Sequence, residues 1–505
     1  MAAYLNIPRL PAELHTSALV LVLIATVGYF TCTAVFTLFF HPLSRVPGPK
    51  LFAISPIPQA LMQCEGYAHK RILALHKKYG PIVRTAPNSV SIQDANVWKE
   101  LMSHRKSGEK ENQKHPSFYD DLLPHSVITA DSEDHARMRK IMSHGFSAQG
   151  MQNQEPIIRS HIDLLFRRMK EHSDAGKPVN VVNWYNYTTF DVIGDLAFGE
   201  PFGCLETSNY HYWVSMIFEQ LPQAQILSQL RRAYPLVGSL LGSVLRLLAF
   251  KKIKVNRDLT ELKVRKRVAL ESMRPDFMDS MLGEDTDGTP RMSFEELCGN
   301  ANLLIIAGSE TTASTLAGVT ALLCTHPDVL SKLCDEVRSR FATDADITLV
   351  SVQQLDYMLA VLNEALRIYP AAAGSIPRVI RQGGQTLCGY YLPENTIVDV
   401  WFWTMFRNPQ HWVSAESFIP ERWTGDPRFD SDDKAAFQPF SFGARNCLGK
   451  NLAYAEMRLI LAKLIWNYDI ELVNQDDRNW TQNQRFHILW AQPPLNVYLK
   501  ARKVS

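Results

Sequence analysis

The stretch from Ser293 to Thr325 limits what this chain can fold into more than any other. Ser293 and Glu296 have the S-x-x-E spacing of a capping box, in which each side chain satisfies an orphan amide of a helix's first turn. No proline interrupts the run until His326-Pro327, where the residue before proline avoids helical angles and stops it. About 32 residues rising about 1.5 Å each span roughly 50 Å, the width of a whole domain. The spacing therefore predicts one helix along the axis of a large core. The chain can supply that core, because 46% of its 505 residues are hydrophobic and 21% charged, which excludes a disordered or fibrous protein.

Within this helix lies AGSETT, residues 307–312, an acid and two threonines in an otherwise apolar stretch. One reading is structural: Ala307 and Gly308 permit close helix packing, and the threonine hydroxyls back-bond to preceding carbonyls. The functional reading has Gly308 making room for a ligand while Thr311 and Glu310 form a polar notch that holds water and passes protons. Taken alone, the segment leaves both open.

A second constraint lies near the N-terminus. From Ser17 to Phe40 there are 24 residues without a charge, and as a helix they would extend roughly 36 Å, enough to cross a bilayer. Their length and the lack of a small-residue cleavage site after AVFTLFF favour an anchor over a cleaved signal peptide. Arg45 and Lys50 follow the run and only Arg9 precedes it, which places the large C-terminal part on the cytosolic side. Directly after it, HPLSRVPGPK carries Pro42, Pro47 and Pro49, which deny helical hydrogen bonds and predict an extended, stiff hinge. No internal repeat or low-complexity linker follows. The expected organisation is a tail at 1–16, an anchor at 17–40, a hinge at 41–50 and one domain at 51–505.

Charge narrows the partners. Lys plus Arg number 53 against 51 for Asp plus Glu, a balance that offers no polyelectrolyte grip on nucleic acid and favours a neutral or apolar ligand. The eight cysteines show no CxxC pair and no regular spacing, so reduced thiols are expected.

The segment PIVRTAPNSVSIQ reads as two short strands about a turn at Pro87-Asn88. A helix over roughly Leu355 to Tyr369 carries Glu364 and Arg367 three apart on one face. They are flanked by apolar residues, and Arg422 in FIPERW is a candidate third partner; a solvated face is the alternative.

The most specific signal is FQPFSFGARNCLGKNLAYAEMRL, residues 437–459. Phe440, Gly443, Arg445, Cys447 and Gly449 stand in the spacing F-x-x-G-x-R-x-C-x-G, ahead of a helical apolar run. A cysteine at a helix start has its thiolate stabilised by free amides and the helix dipole. Glycines either side let the backbone close on a flat ligand, so a metal-bound thiolate in a tight loop is a coherent expectation.

Together the Cys447 loop, AGSETT, the Glu364/Arg367 pair and PERW at 420–423 resemble the four signatures of the cytochrome P-450 superfamily, in the same order. TTFDVIGDLAFGEPFGCL at 188–205 and the proline hinge are similar to fungal microsomal members that tailor secondary metabolites, trichothecene-pathway hydroxylases among them. The resemblance implies a mainly α fold, a helical triangular heme domain with small β-sheets. It implies heme b, with Cys447 as axial ligand of the iron and Arg445, His135, Arg139 and Arg378 directed at the heme propionates. His135 and Arg139 form H-x-x-x-R in DHARMRK, where the family most often has Trp at the first position. Thr311 and Glu310 match the family's proton-delivering alcohol and acid, and Glu364, Arg367 and Arg422 a buried scaffold triad. Phe406 in MFRNPQHW replaces a frequent histidine, with an effect on packing only.

The implied activity is monooxygenation, with one atom of O2 entering a C–H or C=C bond of an apolar small molecule. The implied electron source is NADPH through a separate NADPH-cytochrome reductase, since the sequence carries no flavin or nicotinamide motif. The implied location is the endoplasmic reticulum membrane, single-pass, with a cytosolic catalytic domain. A heme-dependent isomerase or dehydratase needing no reductant, and a non-catalytic heme-binding protein, are the alternatives; intact AGSETT argues against the isomerase. A non-heme iron site at His161 and Asp163, spaced H-x-D, competes with a solvated helical face. The sequons at Asn186 and Asn479 would stay unused on a cytosolic domain. His104 to His125, polar and rich in His and Lys, falls where the family has a variable loop over the substrate.

Overall fold

The computed structural model describes residues 12–103, 111–116, 123–270, 274–284 and 288–502. Its axis is the helix Phe294–Thr325, hereafter the core helix, and both halves of the expected capping box form. Glu296 N donates to Ser293 Oγ at 3.2 Å, and Ser293 N donates to Glu296 Oε2 at 2.8 Å. The core helix packs most extensively against the helix Val181–Phe198. That partner carries apolar and hydroxyl residues on every face and is buried nearly all round, as such a helix must be. It ends at Gly199 in the left-handed conformation (φ 75°). Asn186 lies inside it with Nδ2 donating to Val182 O at 3.0 Å, so its sequon is out of reach, whereas Asn479 is exposed.

Around this pair lie the helices Ala148–Asp174, Tyr212–Ala233, Pro235–Val268, Asp356–Ile368 and Lys450–Asn467. A five-stranded sheet stands to one side, in the spatial order Ile82–Ala86, Ser89–Ile92, Ile397–Asp399, Arg378–Val379, Gln113–Lys114. Its first two strands form the hairpin expected about Pro87-Asn88, with Ile82 opposite Ile92. A three-stranded sheet joins Val179–Asn180, Asn496–Ala501 and Tyr468–Leu472. The architecture is mainly α with small sheets, as the resemblance implied.

Glu364, Arg367 and Arg422 have fully buried side chains, which removes the solvated-face reading. Glu364 Oε1 accepts from Arg367 Nη2 at 2.7 Å and from Arg422 Nε at 3.0 Å, and Oε2 accepts from Trp423 Nε1 at 2.9 Å. Arg367 donates to the carbonyls of Phe406, Ala415 and Ser417, and Arg422 also pairs with Asp432. Every charge is therefore met, as burial of an ion cluster requires. Phe406 itself is buried between Phe402 and Phe437, a packing role.

The helix Ala12–Val35 continues as a π-helical turn through Phe40. Val20–Phe40 has mean hydropathy 2.0 and is 6% buried, so it is long and apolar enough to cross a membrane and is no core helix. The hinge departs from expectation. Pro42 opens a 3-10 turn, Pro42–Arg45, rather than extended chain, because proline's fixed φ suits a first helical position. Leu43 and Val46 are buried, and Arg84 Nη1 donates to Thr37 O at 2.8 Å, so the segment is strapped to the sheet. The helix Pro235–Val268 also exposes Leu236, Leu240, Leu247, Leu248 and Phe250.

Candidate active site

Cys447 lies two residues before Gly449, the N-cap of the helix Lys450–Asn467. Its loop is closed by Cys447 N donating to Phe440 O at 2.8 Å and Asn446 N donating to Gly443 O at 3.2 Å. Gly443 has φ 76°, and a Cβ there would lie 1.8 Å from Met102 O. Glycine is thus demanded by the neighbouring backbone. At Gly449 a Cβ would meet only ordinary contacts, the nearest 3.9 Å away at Cys447 Sγ.

Cys447 is exposed. Yet burial pushes its thiol pKa up, opposed by the Gly449 N–H, Arg139 and Lys450. Cys447 is therefore open on one side while protein groups surround it on the others. All eight cysteines are free thiols, as their spacing suggested.

A cationic cluster surrounds this loop. Arg139 Nη1 donates to Asn446 O at 2.7 Å, its Nη2 bonds Asn446 Oδ1, and its charge is felt at Cys447. Arg445 pairs with Glu111 Oε1 at 2.9 Å and donates to Ala130 O at 3.2 Å. His135 is buried with its pKa pushed down to about 4, by burial first and then by Arg445, Lys114 and Arg139, so it is neutral at pH 7. Arg378 is buried within its strand, not on a surface strand, and stands in register with Lys114.

Two members of this cluster, Lys114 and Glu111, escaped the sequence reading. Burial, then Arg445 and Arg378, push Lys114 down to about 7, and its Nζ bonds Ile128 O. At Glu111 burial alone would raise the carboxyl, but hydrogen bonds from Ser132 and Arg445 hold it low. Both fall in the polar, His- and Lys-rich stretch His104–His125, for which the expectation is a variable loop over the substrate or a plain flexible loop; residues 104–110 and 117–122 of that stretch lie outside the described residues.

These groups fit an iron porphyrin. An exposed soft sulfur suits its metal, and guanidinium groups gathered about one carboxylate suit its acidic edge. Among the described residues no cluster of three or more His, Cys, Asp or Glu could hold a bare metal ion. His161 is buried against Asp195 at 2.8 Å, and Asp163 pairs with Lys463 at 3.1 Å, so neither the non-heme site nor a fully solvated face describes them.

On the core helix the two readings of AGSETT divide residue by residue. A Cβ on Gly308 would lie 2.8 Å from Ile193 Cδ1, so this glycine serves helix packing. Thr311 Oγ1 donates to Ala307 O at 2.8 Å, the back-bond of the structural reading. Ala307 is nonetheless exposed and Thr311 partly so, one turn apart on an open side of the helix. Glu310 is buried, accepts from Ser314 Oγ at 3.4 Å, and carries an Oε2 with no partner among the described residues. Burial lifts its pKa to about 8. The acid therefore sits protonated beside Thr311, which explains how a glutamate is tolerated in an apolar helix.

Comparison with known proteins covers nearly the whole chain. The cytochrome P450 family model matches residues 47–500. Trichothecene C-15 hydroxylase of Fusarium sporotrichioides is 46% identical over 478 residues, 94% of this chain and 96% of its own length. Cytochrome P450 monooxygenase tpeC of Talaromyces stipitatus is 42% identical over 484 residues, 95% of this chain and 94% of its own. Averantin hydroxylase of Dothistroma septosporum is 40% identical over 484 residues, 94% of this chain and 90% of its own.

Proposed function

The chain belongs to the cytochrome P450 family and is a heme-dependent monooxygenase of the hydroxylase type, and from that premise we propose how its residues divide the work. Cys447 holds the iron of heme b through Sγ, and Arg445, Arg139, Arg378 and neutral His135 bind the propionates, with Lys114 beside them. The observation that carries this reading is the exposed Cys447, felt by Arg139 and Lys450, with Arg445 and Arg378 gathered about Glu111 nearby. When bound, the heme supplies the iron at which O2 is activated with electrons from a reductase.

Glu310 holds a proton at neutral pH on a buried carboxyl, and Thr311 Oγ passes it toward the open side of the core helix. Thr311 does so by releasing its bond to Ala307 O. Neither side chain is bonded to the other in the resting structure; Glu310 is held by Ser314 and Thr311 by Ala307. The substrate is an apolar small molecule, and the relatives support fungal secondary metabolism, whether polyketide, terpenoid or alkaloid. The reductase is a separate NADPH-cytochrome reductase. The chain sits by its N-terminal helix in the endoplasmic reticulum membrane, with residues from 51 onward in the cytosol; the apolar Val20–Phe40 segment supports the anchor, and Arg45 and Lys50 after it support the orientation.

Cys447→Ala is expected to abolish the absorption band of the reduced, carbon-monoxide-bound heme-thiolate; retention of that band removes the assignment. Thr311→Ala is expected to keep the band but to divert NADPH consumption into peroxide. Unchanged product per NADPH in that variant excludes the proton role.

A further inference from the structure

Beside the cationic cluster lies a cavity of about 190 Å³. Pro377 lines it, immediately ahead of Arg378, and accepts from His115 N at 3.3 Å, so one strand residue separates cavity from cluster. Its walls are largely apolar, with Ile376, Trp401, Phe402 and Phe486. Into this apolar lining come three primary amides: Gln63 from the helix Ile57–Cys64, and Gln225 and Gln229 one turn apart on the helix Tyr212–Ala233. All three are buried.

A buried amide is costly unless its donors and acceptors are met, each orphan group costing about 1–3 kcal/mol. Among the described residues the three side chains make one hydrogen bond, from Gln225 Nε2 to Gln63 Oε1 at 3.3 Å. Gln63 Nε2 has no acceptor. The charge at the cavity is, by contrast, paired. Arg232, the only arginine or lysine lining it among the described residues, pairs with Asp399, whose Oδ1 also accepts from Ser375 at 2.6 Å, and only its Nε is left as an unmet donor. His487 is held neutral, its pKa lowered by burial and then by Arg485.

Hydrogen-bonding capacity without free charge, set in an apolar wall, selects a particular ligand. Resting on the proposed role of Cys447, we infer that this cavity, which abuts the cationic cluster through Pro377, receives the substrate, and that Gln63, Gln225 and Gln229 are specificity-determining residues for a neutral apolar substrate that already bears a carbonyl or other uncharged oxygen. The amides hold that oxygen, and the aromatic wall holds the hydrocarbon body. A pure hydrocarbon leaves the amides unmet, and a carboxylate finds no free cation.

The test compares decalin, 1-decalone and decalin-1-carboxylate with the full-length holoprotein in detergent, by calorimetry and by the shift of the heme absorption band. 1-Decalone is expected to bind roughly tenfold more tightly than decalin, the value of about one amide hydrogen bond, and the carboxylate more weakly than the ketone. Gln63→Met and Gln225→Met, close in volume to the parent, are expected to lose the ketone preference while still binding decalin. Equal binding of ketone and hydrocarbon by the unaltered protein, binding of neither, or a preference surviving in both variants overturns the inference. A protein lacking the heme-thiolate band would instead overturn the assignment of Cys447, so the two failures are told apart by the spectrum.

Discussion

A glutamate and a glycine show how single residues in this molecule answer to their surroundings. Glu310 has a folded pKa of about 8 against an ordinary 4.5, so the folded state keeps a proton that the unfolded chain gives up. Its contribution to stability is complete below the ordinary value and is lost as pH rises toward and through 8. Urea midpoints measured from pH 5 to 9 should fall for the parent, by at most about 1.4 kcal/mol per pH unit, and should be flatter for Glu310→Gln. Identical pH profiles for the two proteins count against a buried, protonated acid. Gly443 tests the loop rather than the proton. With φ 76° and Met102 O only 1.8 Å from a Cβ, Gly443→Ala cannot be accommodated without moving the Cys447 loop. Its heme absorbance per mole of protein should drop well below that of Gly449→Ala, where space exists.

Among elements, the joint that matters most ties the helix Asp356–Ile368 to the PERW turn. Glu364 bonds Arg367, Arg422, Trp423 and the Ile419 amide, and the side chains of Glu364, Arg367 and Arg422 are fully out of water. Removing one partner strands a charge, which costs about 3–5 kcal/mol. Arg422→Ala should therefore lower the denaturant midpoint by that equivalent, and a loss below about 1 kcal/mol would mean the cluster is solvated after all. The two-sided fit of the core helix follows the same logic without charges. Gly308 seats Ile193, and at Gly318 a Cβ would lie 2.4 Å from the Tyr369 ring. Helical periodicity indicated that these faces were apolar, but not which neighbour each would meet.

At the scale of the whole molecule, two apolar surfaces face outward: the Val20–Phe40 segment and the Leu236–Phe250 face of the helix Pro235–Val268. A chain lacking residues 1–40 should still float with phosphatidylcholine vesicles, and Leu240→Glu with Leu247→Glu should release it. If the shortened chain stays in solution without those changes, the helical face does not meet lipid. The segments legible from sequence were those set by local physics. A capping box and a following proline bound the core helix, an uncharged run marks the apolar N-terminal helix, and a spaced cysteine motif marks the tight Cys447 loop, because each is decided by neighbours within a few turns. What only the tertiary structure decided is who meets whom. Lys114 and Glu111 join the cationic cluster, and Gln63, Gln225 and Gln229 share one cavity. Gly443 answers to Met102, and the proline hinge lies strapped to a sheet. Those outcomes depend on contacts between residues far apart in the chain, whose free energies exist only once the backbone has brought them together.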